Sequence, residues 1–231
     1  MFRFKQFAVA HDKCALKVNT DGVLLGAWAN ADGARTILDI GTGTGVIALM
    51  MAQKNKQAII DALDIDREAY WQAKENFENS AWSGRLNGVL SSLQTFNTAK
   101  RYDVIISNPP YFVDDLKTAN EQKNLAKHST GLSYAELIDG ISYLLSDNGK
   151  AYLVIPVFNF QLVREIAEKR SLYVNKVARV IAVKGKPPYL SLLELNWKKR
   201  EYSDSVIEIQ DDKGEFTEQY RELTKDFYLK F

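Results

Sequence analysis

The sequence predicts an α/β fold built on a mostly parallel, twisted sheet with an antiparallel hairpin at one edge. Three observations predict it. From Thr36 onward, short β-rich apolar runs alternate with stretches of helical periodicity. A glycine-rich turn, Gly41 to Gly45, joins the first such run to an apolar helix. Late in the chain, two β-rich runs flank Pro187-Pro188, which suits a turn between antiparallel strands.

The first run, Thr36 to Ile40, reads as a strand, and Val46 to Ala52 as a buried helix. Ile59 to Leu63 is a second strand. Arg67 to Asn79 carries apolar residues at helical spacing through Ala69, Tyr70, Ala73 and Phe77. Tyr102 to Ile106 is a further strand, and the polar, lysine-bearing stretch from Tyr111 to Thr130 reads as a long loop. A helix is expected over Ser133 to Leu145, a turn at Ser146 to Gly149, and a buried strand over Ala151 to Ile155. Asn159 to Lys169 is helical, and Leu172 to Val183 and Leu190 to Trp197 are the hairpin strands. At the start, the alternation of Phe2, Arg3, Phe4, Lys5 and Phe7 fits a strand with one buried face.

The chain has 231 residues, 46% hydrophobic and 26% charged, enough for one substantial core, so a single domain spanning 1–231 is expected. Nowhere do 18 apolar residues run together, and charges break up the start, so a cytoplasmic protein is expected. A lone Cys14 excludes an internal disulfide, and with His11 and His128 as the only imidazoles no usual Cys/His zinc set can form; no metal is expected. A net charge of +1 is not that of a general nucleic-acid coat protein, so phosphate contacts would come from local lysine clusters.

Two motifs carry chemistry. Asp39-Ile40-Gly41-Thr42-Gly43-Thr44-Gly45 lies between strand and helix. A dinucleotide fingerprint would place glycine at 46, where the chain has Val46, and Asp39 would repel a pyrophosphate. The sulfonium and ammonium of S-adenosylmethionine favour a nearby carboxylate instead. About 20 residues on, the second strand ends in Leu63-Asp64-Ile65-Asp66, where nucleoside-binding folds set a carboxylate against ribose hydroxyls; Asp64 is preferred over Asp66. The second motif, Ser107-Asn108-Pro109-Pro110-Tyr111, follows the strand at Tyr102 to Ile106. Its prolines make a rigid turn. The Asn108 side-chain oxygen and the Pro109 carbonyl can accept the two protons of a planar amino group, and Tyr111 offers a stacking face. A second Pro-Pro-Tyr copy, Lys186-Pro187-Pro188-Tyr189, lacks the asparagine and is assigned to structure.

These motifs resemble the class I amino-methyltransferases that modify adenine N6, cytosine N4 or glutamine amides. The stretches Phe4 to Lys13 and Lys17 to Trp28, with the tail Phe216 to Phe231, look like the bacterial tRNA1(Val) adenine-N6-methyltransferase family. The resemblance implies a Rossmann-like class I methyltransferase fold, S-adenosylmethionine as cofactor, and tRNA adenine 37 as acceptor. It implies that Asp39, Gly41, Thr42, Gly43 and Gly45 wrap the cofactor, that Asp64 binds its ribose, and that Thr20 and Asp21 lie over its methionine end. It also implies that residues 1–35 pack near cofactor and substrate, ahead of a core at 36–231. Where relatives often place an aspartate near the cofactor adenine, this chain has Ser92. Lys5, Lys13, Lys127 and His128 are candidate RNA contacts. Glutamine methylation of a release factor is the rival in chemistry, and a non-catalytic RNA-binding module the rival in class. No obligate protein partner is expected.

Overall fold

The computed structural model describes residues 1–14, 17–110 and 132–230. Strands β3 (Thr36–Ile40), β4 (Ile59–Asp64), β5 (Leu86–Leu90), β6 (Tyr102–Ser107), β7 (Leu145–Pro156), β8 (Tyr173–Val183), β9 (Leu190–Asn196) and β10 (Ser203–Gln210) form one sheet in the order β10-β8-β9-β7-β6-β3-β4-β5. Its centre, from β7 to β5, is parallel. The expected antiparallel hairpin is β8–β9, with β9 also antiparallel to β7. Outside it, β10 pairs parallel to β8 and forms the outermost edge, a strand the sequence pattern did not reveal.

Alternation along the central strands splits the core into two layers, because successive side chains leave a strand on opposite faces. Ile37, Ile60, Val104, Ile106 and Val154 pack on one face with helices α1 (Thr20–Trp28), α2 (Val46–Lys54) and α3 (Arg67–Glu78). Leu38, Leu63, Ile105, Leu153 and Ile155 pack on the other with α4 (Tyr134–Leu144) and α5 (Phe160–Glu168). Strands covered on both faces need near-continuous apolar runs, which β3 and β6 supply.

Helix boundaries follow their caps. Asn19 caps α1 by accepting the Gly22 N–H, Asp66 caps α3 by accepting from Glu68 and Ala69, and Ser133 with Glu136 forms a reciprocal box at α4. A last helix, α6 (Glu218–Thr224), is capped by Thr217 and packs against β10.

Two local expectations need correction. The turn at Ser146 to Gly149 is absorbed into β7 as a bulge: pairing to β6 jumps from Tyr102↔Leu145 to Val104↔Lys150. Gly149 permits it, since a Cβ there would fall 2.9 Å from the Tyr102 carbonyl oxygen. The aromatic N-terminus is not one strand but a tight hairpin of β1 (Phe2–Arg3) and β2 (Ala8–Val9), which buries both Phe4 and Phe7. No described helix is long and apolar enough to cross a membrane.

Candidate active site

Strands β3 and β6 are neighbours in a register that pairs Ile40 with Ser107. Gly41 and Asn108 therefore leave the sheet side by side at its carboxyl edge. The chain proceeds from β3 to β4 and β5 on one side, then returns with β6 on the other, so this is the switch point where open α/β sheets leave a crevice. The Ser107 hydroxyl donates to the Ile40 carbonyl at 2.7 Å and ties the two strand ends together.

Gly41, Gly43 and Gly45 all adopt positive φ, at 70°, 55° and 80°. The turn folds over the end of β4 through Gly41 and Thr42 N–H groups that donate to the Leu63 carbonyl at 2.8 and 2.9 Å. A Cβ on Gly41 or Gly43 would meet nothing within 4 Å, so both turn bare backbone toward open space. Gly45 has a different role: a Cβ there would come 2.4 Å from the Phe77 ring, which packs α3 onto the turn.

The carboxylates divide the labour. Asp64 is half-buried, its Oδ2 accepting the Gly43 N–H at 2.8 Å and its Oδ1 the Asp66 N–H at 2.9 Å. Burial raises its pKa, and those backbone donors oppose the rise. Asp66 lines the cavity too, with its Oδ1 capping α3. Asp39 lies beneath the turn, wholly buried, with Oδ2 accepting the Thr42 hydroxyl at 2.6 Å. Its Oδ1 has no hydrogen-bond partner among the described residues, and burial pushes its pKa up to about 7.

A cavity of about 270 Å³ opens between the motifs. Of the expected residues, Gly41, Gly43, Asp64 and Ser92 line it from the cofactor side, and Asn108, Pro109 and Pro110 from the acceptor side. Among the described residues its charged lining is Asp64 and Asp66, with no lysine, arginine or histidine. That charge set suits a sulfonium and an ammonium and opposes a pyrophosphate. Together with the bare glycine backbone and a cavity-facing carboxylate, the residues fit S-adenosylmethionine. The Ser92 hydroxyl contacts that of Thr95 at 2.8 Å within a local turn while remaining on the cavity wall.

Asn108 is wedged between this cavity and α1: a Cβ on Gly22 would stand 3.5 Å from its Nδ2. Thr20 and Asp21 sit in that first turn of α1, off the cavity wall, where the Tyr189 hydroxyl bonds the Asp21 carboxylate. Lys13 pairs with Glu75 at 2.7 Å, and the Lys5 amine donates to the Lys225 carbonyl at 2.6 Å. Tyr111, Lys127 and His128 lie outside the described residues.

Several wall residues were not identified from sequence. Leu93, Ile65 and Leu132 give the cavity apolar sides, and Cys14 closes it. The Cys14 thiol is pushed up to about 11 by burial and by the Asp64 charge, so it is protonated at neutral pH and is no nucleophile. Its segment is strapped to α3: Asn76 accepts the Ala10 N–H at 2.8 Å and donates to the Ala10 and Thr44 carbonyls at 2.9 and 2.8 Å. Gln72 accepts the Lys13 N–H at 3.0 Å. The available signal was two amides, Gln72 and Asn76, on the apolar face of α3.

Residues 19–159 match the family described as methyltransferase small domain. A relative from Bacteroides fragilis, named tRNA1(Val) (adenine(37)-N6)-methyltransferase, is 43% identical over 99% of this chain and 98% of its own length. One of the same name from Flavobacterium psychrophilum is 43% identical over the full length of both. Among solved structures, a predicted O-methyltransferase from Agrobacterium tumefaciens superposes with a TM-score of 0.67 at 15% identity, covering 90% of this chain and 96% of the other. A putative RNA methyltransferase from Pyrococcus horikoshii gives 0.56 at 15% identity, covering 83% and 91%. These two show the shared fold.

Proposed function

The chain belongs to the family of tRNA1(Val) (adenine(37)-N6)-methyltransferases, within the methyltransferase small-domain family, and from that footing we propose that it methylates N6 of adenine 37 in a tRNA anticodon loop with S-adenosylmethionine as donor. The observation that carries the reading is the Ile40↔Ser107 register, which brings the glycine turn and the Asn108-Pro109-Pro110 segment to two sides of one cavity.

Gly41 and Gly43 would hold the cofactor through exposed backbone, Asp64 through its ribose hydroxyls, and Ser92 with Leu93 beside its adenine. The bound cofactor supplies an activated methyl on a sulfonium, so no strong base is required of the protein. The Asn108 side-chain oxygen and the Pro109 carbonyl accept the two N6 protons and turn the nitrogen lone pair into the cavity. As the nitrogen gains positive charge, those same acceptors hold its protons, an arrangement that favours the transition state over the ground state. Positioning of this kind can lower a bimolecular barrier by about 7–11 kcal/mol. A loop adenine must leave its stack to reach the site, and Tyr111 offers it a replacement face worth ~1–3 kcal/mol. Lys127 and His128, which follow Tyr111 in the chain, are the proposed phosphate contacts, with Lys5 and Lys13 secondary because each already holds an internal partner. A tRNA acceptor supports a cytoplasmic location for this work.

Methyl-labelled cofactor with unmodified tRNA, followed by digestion and mapping, tests the reading. The label is expected as N6-methyladenosine at position 37. Asn108→Ala is expected to lower the single-turnover rate about 10²-fold or more while leaving cofactor affinity nearly unchanged. Label appearing in a protein glutamine instead of RNA would overturn the assignment, because a glutamine amide fits the same two acceptors.

A further inference from the structure

Beyond the cofactor cavity lies a second concavity, of about 640 Å³, bounded by the N-terminal hairpin, the β8–β9 turn and the C-terminal segment. Its walls are aromatic. Tyr189 and Phe216 are 38% and 39% exposed on it. Behind them the Phe216 and Tyr220 rings stack at 5.2 Å, and Tyr220 lies 6.4 Å from Tyr228. Gln210 adds one amide, Arg3 and Lys230 add positive charge, and among the described residues no aspartate or glutamate lines the cleft. Flat faces, a single hydrogen-bonding amide and cations are the chemistry that receives an unstacked nucleobase with its phosphates.

Its position relates it to the acceptor site. Thr20 lies on the wall of this cleft, while Gly22, two residues along α1, stands against Asn108. At a helix rise of about 1.5 Å per residue, less than one turn of α1 separates the two places along its axis. Tyr189 is fixed there through its hydroxyl on Asp21, at the end of a proline pair that stiffens the approach to β9. The second Pro-Pro-Tyr copy, which sequence alone assigned to structure, thus presents a ring next door to the first.

We infer that this cleft is a subsite for an unstacked base of the substrate RNA, one or two nucleotides from the base being methylated. The base stacks against Tyr189 and Phe216, and Arg3 and Lys230 take the flanking phosphates. The inference rests on the RNA reading above and assigns that RNA a second point of recognition.

The test compares wild-type enzyme with Phe216→Ala, Tyr189→Ala, Tyr189→Phe and the pair Arg3→Ala with Lys230→Ala on one unmodified tRNA. Loss of either ring is expected to raise KM for RNA about tenfold, in line with the strength of base–aromatic stacking, while cofactor affinity stays at the wild-type value. Tyr189→Phe keeps the ring but loses the Asp21 bond that fixes it, so its KM for RNA is expected to fall between wild type and Tyr189→Ala. Removing both cations is expected to reduce the slope of log affinity against log salt by about two, whereas removing a ring leaves the slope unchanged. A 2-aminopurine placed beside the target adenine is expected to be quenched on binding wild type and not Phe216→Ala. Should Phe216→Ala lose cooperative melting, Phe216→Leu, which keeps apolar bulk without a flat face, carries the comparison. Wild-type KM in both ring variants, with wild type active on tRNA, overturns the subsite alone. A wild-type enzyme that methylates no RNA overturns both this inference and the function beneath it.

Discussion

Asp39 and Asp64 stand at the carboxyl ends of adjacent parallel strands, yet the fold uses them in opposite ways. Asp39 is sealed under the glycine turn, with one oxygen on the Thr42 hydroxyl and the other without a hydrogen-bond partner among the described residues. Asp64 reaches the cavity wall, and both its oxygens accept backbone N–H groups from the turn and from the start of α3. The difference teaches that a carboxylate ahead of a glycine-rich turn is not by that fact a ligand contact. Depth decides: the buried one shapes the turn from beneath, and the half-buried one both braces the turn and faces the cavity.

Asp64→Ala is expected to have the largest effect. It removes the proposed ribose partner and leaves the Gly43 and Asp66 N–H groups without their acceptor, so cofactor affinity by calorimetry is expected to fall about 100-fold or more, at ~1.4 kcal/mol per factor of ten. If affinity holds and Asp66→Ala is the variant that loses it, the two carboxylates have been assigned the wrong way round.

How far the sequence carries depends on whether a feature is local. The elements β3, α2, β4, α3 and β6 have periodic patterns long enough to read, and the motifs that follow β3 and β6 are contiguous, so Gly41, Gly43, Asp64 and Asn108 could be singled out before their meeting was seen. Other elements hide for physical reasons. Helix α1 buries Gly22 through Ala27 on all sides and so shows no amphipathic stripe. Strand β5 contains Asn87 and Gly88, and β10 begins with four exposed residues because it is an edge. The strap from Ala10 to Cys14 closes the cavity only because Gln72 and Asn76, some 60 residues away, hold it by side-chain amides, and no local pattern encodes that pairing. The aromatic cleft gathers residues from both ends of the chain and from the β8–β9 turn, so it had no spacing to be read.

The next effect in size concerns Asp39. Its folded pKa is raised from 3.8 to about 7, so the folded state holds this proton more tightly than the unfolded chain does. Stability from this group is therefore greatest below about pH 4, declines as pH rises toward 7, and levels off above it. Asp39→Asn cannot ionise, so the difference in melting temperature between wild type and variant is expected to move against wild type across that interval. Cofactor binding shifts the same equilibrium the other way. A bound sulfonium would favour the ionised form, so wild-type affinity is expected to tighten as pH rises through about 7 and to stay flat in Asp39→Asn. A wild-type profile as flat as the variant's would mean that Asp39 carries the same charge with and without cofactor.

Thr42→Val is the smallest perturbation and isolates the contact between the turn and its buried carboxylate. It keeps the branched shape and removes the 2.6 Å hydroxyl bond to Asp39, at an expected cost of about 1 kcal/mol, or ~2–4 °C in melting temperature for a chain of this size. The Thr42 bond lowers the Asp39 pKa, so its loss is expected to move the midpoint of the pH-dependent cofactor affinity to higher pH. A purely structural contact would shift the melting temperature and leave that midpoint in place. The direction of the midpoint shift, read alongside Asp39→Asn, therefore separates a carboxylate that only supports the turn from one whose charge the turn transmits to the cofactor.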